Sequence, residues 1–308
     1  MLIIGLSVVM ALVLGVGVWL YTPDRPRAAL EAAYAAPPST FLDVMGLRLH
    51  VRDTGPRDAP AVILLHGFGA SLQAWDAWSA DLERTARVVR LDLPGFGLTG
   101  PDPTGDYSDT RAVLVLAALM DRLGLARADL VGHSMGGRIA WTFAAAYPDR
   151  VNRLVLMAPD GFASPGMAYG VTPKIPLLAR VLPYTLPTAL LRASLAPAYA
   201  DRAVMTETVI TRFRDMMLTP GVRAAILARM EQNVLLDPES SLRRITAPTL
   251  LIWGDKDAMI PIANAGDYLR DLPYARLVTL PGVGHVAMEE APVASATAVR
   301  EFLAGGAS

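Results

Sequence analysis

Residues 131–140 read "VGHSMGGRIA", and within them a serine stands between glycines two places before and two places after it. The mostly apolar run Ala128 to Val131 reads as the end of a short buried strand. The residues after Ser134 have helical spacing and stop before Pro148. Ser134 therefore falls at a strand-to-helix junction. Such a junction must turn sharply, and small residues at Gly132 and Gly136 let strand and helix approach closely. The turn lifts the hydroxyl above the sheet, over the positive end of a helix. That is the placement a nucleophile needs.

A serine hydroxyl is a weak nucleophile without a base. The chain has four histidines. His50 sits in an alternating strand and is expected to face solvent. His66 lies in a glycine-containing turn, "HGFGAS". His133 adjoins the serine, but the turn should direct it elsewhere. His285, in "GVGHVAMEE", follows the last strand and precedes the last helix, so a strand-end loop can carry it over Ser134. It is the base by elimination and position. An imidazole base needs an orienting carboxylate in turn. Two strand ends supply candidates: Asp160 in "MAPDG", and Asp255 and Asp257 in "WGDKDAMIP". All three respect the order serine, acid, histidine.

The elements that position these groups can be read from apolar spacing. "FLDVMGLRLHVRDTG" alternates around a Met45-Gly46 turn, as two antiparallel strands would. Six short apolar runs follow: "AVILL" (61–65), "RVVRLDL" (87–93), "ADLVG" (128–132), "NRLVLMAP" (152–159), "PTLLIWG" (248–254) and "ARLVTLPG" (275–282). Helical patterns separate them. Apolar strands alternating with helices predict an α/β fold, a mostly parallel eight-stranded sheet with helices on both faces. Sites in such sheets lie beyond the carboxyl ends of the strands, where each candidate above falls. Residues 161–246 break the rhythm with prolines and then helices, and read as an inserted helical cap. Residues 39–160 and 247–308 form the core around it.

Four segments resemble the α/β-hydrolase superfamily: "HGFGAS", "DLPGFGLT", "GHSMGG" and "GDKD" with "GHVAMEEAP". Together they span most of residues 40–305. The resemblance implies a serine esterase or lipase whose acid is Asp257, with Asp255 shaping the loop and Asp160 as the alternative acid. It also implies an oxyanion hole made by the backbone N–H groups of Met135 and Phe68, with His66 and Gly67 shaping the loop. Asp92 would be structural. Members that open carbon–halogen bonds or epoxides carry an aspartate at the nucleophile position, and Ser134 departs from them. The same triad also serves carbon–carbon bond hydrolases and peracid-forming enzymes, and a ligand receptor that keeps the fold is the non-enzyme alternative.

The first 21 residues, "MLIIGLSVVMALVLGVGVWLY", carry no charged side chain. As a helix they would span roughly 30 Å, one bilayer core. Residues 1–22 are expected to be a transmembrane anchor, and residues 23–38 a juxtamembrane helix with Asp24 as its cap. Ser7, Ala11 and Gly15 form a small-residue stripe suited to close helix pairing. Arg25 and Arg27 weakly favour a cytoplasmic domain by the positive-inside rule. The junction "WLYTPDRPRAALEAAY", and the 28-residue spacing from Asp257 to His285, resemble bacterial membrane-anchored esterases and phospholipases A. That resemblance implies a single-pass inner-membrane protein, a periplasmic hydrolase domain and a homodimer formed through the anchor.

Composition removes other classes. The net charge of −1 gives no electrostatic reason for nucleic-acid binding. With no cysteine, disulfides, thiolate catalysis and cysteine-ligated metals are excluded. The expected chemistry needs no metal or organic cofactor. The cap is rich in Leu177, Leu178, Leu182, Leu186, Leu190 and Leu191, and apolar lining suits an acyl chain. The expected substrates are medium-chain acyl esters, membrane glycerophospholipids included, with a fatty acid as product.

Overall fold

The computed structural model describes residue 15 and residues 20–163 and 168–305. An N-terminal helix α1 (Arg27–Tyr34) precedes the hairpin β1 (Ser39–Val44) and β2 (Leu47–Thr54). Met45 and Gly46 both take positive φ at its turn, 54° and 80°, as a tight hairpin requires. The core continues through β3 (Ala61–Leu65), α2 (Asp76–Leu82), β4 (Arg87–Leu91), α3 (Asp109–Arg122), β5 (Ala128–His133), α4 (Met135–Ala146) and β6 (Val151–Met157). The cap supplies α5 (Thr188–Leu195), α6 (Glu207–Met217), α7 (Val222–Gln232) and the short α8 (Glu239–Leu242). The core closes with β7 (Thr249–Gly254), α9 (Asn264–Asp271), β8 (Ala275–Leu280), α10 (Ala287–Glu290) and α11 (Pro292–Leu303).

The eight strands form one sheet in the order β1-β2-β4-β3-β5-β6-β7-β8. The β1–β2 and β2–β4 pairs are antiparallel and the remaining pairs parallel. Apolar residues of both parities are buried because both faces are covered. Ile63, Leu65, Leu130, Leu156 and Trp253 pack with α3, α4 and α9 on one face. Val62, Leu64, Val131, Val155 and Ile252 pack on the other with Trp75, Trp78 and α11.

This double cover corrects the reading of His50. Alternation separates the two faces of a strand but does not reveal what lies on each. His50 is fully buried. Its Nδ1–H donates to Asp92 Oδ2 at 2.8 Å, and its Nε2 lies 2.9 Å from the Ser39 hydroxyl. Asp92 also accepts from the backbone N–H groups of Leu72 and Leu98. Burial raises its pKa, but His50 and these donors outweigh that and hold the carboxyl below its usual range. Asp92 is thus a structural hub that fixes the glycine-rich turn after β4.

The N-terminal segment is fastened to the cap. Tyr21 bridges Thr185, and the Thr22 N–H donates to the Tyr184 carbonyl at 2.9 Å. Asp24 does not cap α1; Pro26 occupies that position. The Asp24 carboxylate instead accepts from the Gly221 N–H and the Arg223 guanidinium, a charged partner that a helix start does not offer. The expected span 1–22 lies outside the described residues apart from Gly15 and residues 20–22. Among the described residues no helix is long and apolar enough to cross a membrane.

Candidate active site

Ser134 links β5 directly to α4, with φ 53° and ψ −119°. A non-glycine residue there is strained by about 1–3 kcal/mol, and such strain persists only where the surroundings impose it. The flanking glycines show what imposes it. A Cβ on Gly132 would lie 2.3 Å from the Gly136 carbonyl oxygen. One on Gly136 would lie 2.3 Å from the Leu65 oxygen and 2.6 Å from the His66 oxygen, and one on Gly137 would lie 2.8 Å from Pro159 Cβ. These contacts press the start of α4 against β5 and β3, and Ser134 is held at the bend between them.

The contacts at Gly136 lead to a stability prediction. The obstructing atoms are backbone, so no rotamer change relieves them. Gly136→Ala should destabilise the fold by about 3 kcal/mol and disturb the loop beside Ser134, which His66 opens. Gly266, inside α9, has no atom near its would-be Cβ. Gly266→Ala should be neutral or stabilise by about 0.5–1 kcal/mol. Thermal melts of both variants beside the wild type check the contrast.

His66 shapes the neighbouring loop. Its Nδ1–H donates to the Gly67 carbonyl at 2.7 Å, and its Nε2 accepts from the Leu93 N–H at 2.9 Å. Burial lowers its pKa, consistent with a neutral ring holding one fixed tautomer. Gly67 comes so close to the nucleophile that a Cβ there would lie 3.3 Å from Ser134 Cβ. The next residue, Phe68, lines the same cavity as Ser134. Met135 opens α4, where first-turn N–H groups lack an intrahelical acceptor. Both sequence-predicted oxyanion donors therefore belong to segments that converge on Ser134.

Asp257 and His285 meet across the loops after β7 and β8. His285 Nδ1 lies 2.7 Å from Asp257 Oδ2. The other carboxylate oxygen accepts from the N–H groups of Met259 and Ile260 at 2.8 and 2.9 Å. Asp255 accepts from the Gly282 N–H at 2.7 Å and so ties the two loops together. Asp160 faces elsewhere, with its carboxylate 3.5 Å from the Arg138 guanidinium. Ser134 and His285 both line one cavity of about 590 Å³ between core and cap.

His133 is nearer the chemistry than its position in the turn predicted. It lines the cavity, its ring centroid is 4.6 Å from that of His285, and its Nε2–H donates to the His285 carbonyl at 3.0 Å. Burial, with His285 alongside, holds its pKa well below the usual range, so it is a neutral brace rather than a base. Sequence reading also missed Tyr199 and Glu289, which line the cavity. The only sequence signal was an acid four residues after His285. Among the described residues no group of three or more histidines and acids is placed to hold a metal ion.

A strained serine at a strand–helix elbow, followed in sequence by an aspartate and a histidine that meet across strand ends, defines a hydrolase of the α/β class. The profile described as alpha/beta hydrolase fold matches residues 60–292, and the chain belongs to that family. Its similarities run in two directions. A Burkholderia vietnamiensis protein named 2-hydroxy-6-oxononadienedioate/2-hydroxy-6-oxononatrienedioate hydrolase is 34% identical over 267 residues, 83% of this chain and 91% of its own length. The crystal structure of a membrane phospholipase A, described as a bacterial virulence factor, superposes with a TM-score of 0.75 at 25% identity, covering 99% of this chain and 98% of that one. A meta-cleavage product hydrolase from Pseudomonas fluorescens superposes with the same TM-score, 0.75, at 26% identity, covering 87% of this chain and 98% of its own.

Proposed function

We propose that the chain is a serine carboxylic-ester hydrolase of the esterase/lipase type, acting on apolar acyl esters that include membrane glycerophospholipids. Ser134 Oγ attacks the ester carbonyl while His285 Nε2 takes its proton. The N–H groups of Met135 and Phe68 face the developing oxyanion. His285 then protonates the leaving alcohol, and an acyl-serine remains. Water deprotonated by His285 attacks that acyl-serine and releases the fatty acid. In this reading residues 1–22 tether the enzyme to the bilayer that holds its substrate. The likeness to the membrane phospholipase supports that tether, because it runs across nearly the whole chain.

The observation that carries the ester reading is the cavity lining. Leu178, Leu182, Leu186, Leu191, Phe213 and Met217 dominate it, and among the described residues that line it there is no arginine or lysine. Its volume lies within the range of roughly 300–1,000 Å³ usual for small-molecule sites. The second reading is carbon–carbon bond hydrolysis, which the name of the Burkholderia relative favours. A dienedioate carries two carboxylates. A buried carboxylate needs a cation or several donors, and the acid among the described lining residues, Glu289, opposes it.

One assay separates the two. Purified enzyme is offered p-nitrophenyl esters of increasing acyl length and, in parallel, a 2-hydroxy-6-oxo-dienedioate. Each buried methylene is worth about 0.8 kcal/mol, so kcat/KM should rise about fourfold per methylene until the cavity is filled. A flat or falling series, with faster turnover of the dienedioate, would replace the ester reading with the second.

A further inference from the structure

The described cavity wall is mostly apolar; its Thr185 and Ser194 hydroxyls donate to the backbone carbonyls of Leu20 and Leu191, and an acidic side chain enters it at a spot beside the catalytic groups. Tyr199 and Glu289 both line the cavity, and the phenol O–H of Tyr199 donates to Glu289 Oε2 at 2.6 Å. Arg212 donates to Glu289 Oε1 from the cap. Tyr199 is 4% exposed. An ionised carboxylate facing apolar surface is strongly disfavoured unless it is paired, and these two partners hold it there. They do not exhaust it. A carboxylate offers about four lone-pair positions, and a phenol oxygen that donates its proton can still accept. Burial and the adjoining Glu289 carboxylate push the Tyr199 pKa above its usual range, so the phenol keeps its proton.

The spot adjoins the base. Glu289 lies in α10, four residues after His285. Tyr199 follows Ala198, whose carbonyl accepts the His285 N–H at 2.9 Å. Glu290 fastens the same corner, accepting from the N–H groups of Ala200, Asp201 and Gly284. His285 is the group that hands a proton to the departing alcohol, so acceptors beside it face the alcohol part of an ester.

We propose that Glu289 and Tyr199 form a leaving-group subsite that accepts a hydrogen bond from a free hydroxyl on the alcohol part, selecting acyl esters whose glycerol keeps a free hydroxyl, monoacylglycerols and monoacyl glycerophospholipids among them, over esters of simple alkanols. The proposal rests on the ester reading above. A site built to bond a hydroxyl discriminates against the analogue that lacks it, because the remaining acceptor positions of its buried carboxylate and phenol then face apolar surface unfilled.

The test compares glyceryl monooctanoate with methyl octanoate, which share one acyl group, on the full chain, Glu289→Gln and Tyr199→Phe. The readout is the ratio of the two kcat/KM values within each preparation, which cancels any loss of folded enzyme. The wild type should favour the glyceryl ester at least about tenfold, and each variant should bring the ratio to within about threefold of one. Tyr199→Phe keeps the ring and its packing, so it decides the matter where Glu289→Gln folds poorly. A wild-type ratio near one, or a ratio that neither substitution moves, overturns the subsite and leaves the ester reading intact. A wild type that hydrolyses neither ester overturns both.

Discussion

Replacing Ser134 with alanine should lower ester turnover by about 10⁵-fold or more while leaving the fold intact. In the proposed mechanism the hydroxyl is the group that becomes acylated, and nothing else on the elbow can take its place, so the expected loss is large. His133, the adjoining residue, is neutral and engaged with the His285 carbonyl. The backbone at Ser134 is already at φ 53°, and alanine meets the same strain as serine, so melting temperature should change little. Glycine removes the Cβ that makes this conformation costly, so Ser134→Gly should be equally inactive yet more stable by about 1 kcal/mol. Intact-mass measurement after a fluorophosphonate adds a direct readout: one adduct on the wild type and none on either variant. Adduct formation or appreciable turnover by Ser134→Ala would place the nucleophile elsewhere. A Ser134→Gly variant less stable than wild type would mean that the elbow is not strained.

Much of this centre is legible in the sequence because its requirements are local. A serine at a sharp turn needs glycines at fixed offsets, and the obstructed Cβ positions at Gly132 and Gly136 are the physical form of that rule. The sheet was legible for a related reason: strands covered on both faces must be largely apolar at both parities, and residues 61–65 and 250–253 are. His285 followed from the scarcity of histidines and the position of its loop. What was not legible depends on contacts between distant segments. Nothing near His50 reveals that Asp92, 42 residues away, lies over its face of the sheet. Nothing near Asp24 reveals Arg223, 199 residues on. The partnership of Tyr199 with Glu289 joins the cap to α10 across 90 residues. In each case a polar side chain took a buried partner that only the folded topology supplies.

The choice among three aspartates is of the same distant kind, and one substitution decides it. Asp257→Asn should lower kcat by about 10⁴-fold with little change in stability. The reason lies in how Asp257 is held. Its Oδ1 accepts two backbone N–H groups, from Met259 and Ile260. In the asparagine variant those donors demand the amide oxygen at that position, so the amide nitrogen is turned toward His285. An NH₂ group can only donate to Nδ1, which forces the imidazole proton onto Nε2. Nε2 is the atom that must accept the Ser134 proton, and in that tautomer it has no lone pair to do so. The variant keeps its shape and loses its base. Asp160→Asn removes only a carboxylate 3.5 Å from Arg138, and Asp255→Asn keeps an amide oxygen for the Gly282 N–H. Both should stay within about tenfold of wild-type kcat, because neither alters the imidazole tautomer. Steady-state kinetics on one p-nitrophenyl ester, run for the three variants together, reads this out. If the large loss falls on Asp160→Asn and Asp257→Asn retains turnover, the 2.7 Å contact between Asp257 and His285 is structural and the orienting acid comes from the loop after β6.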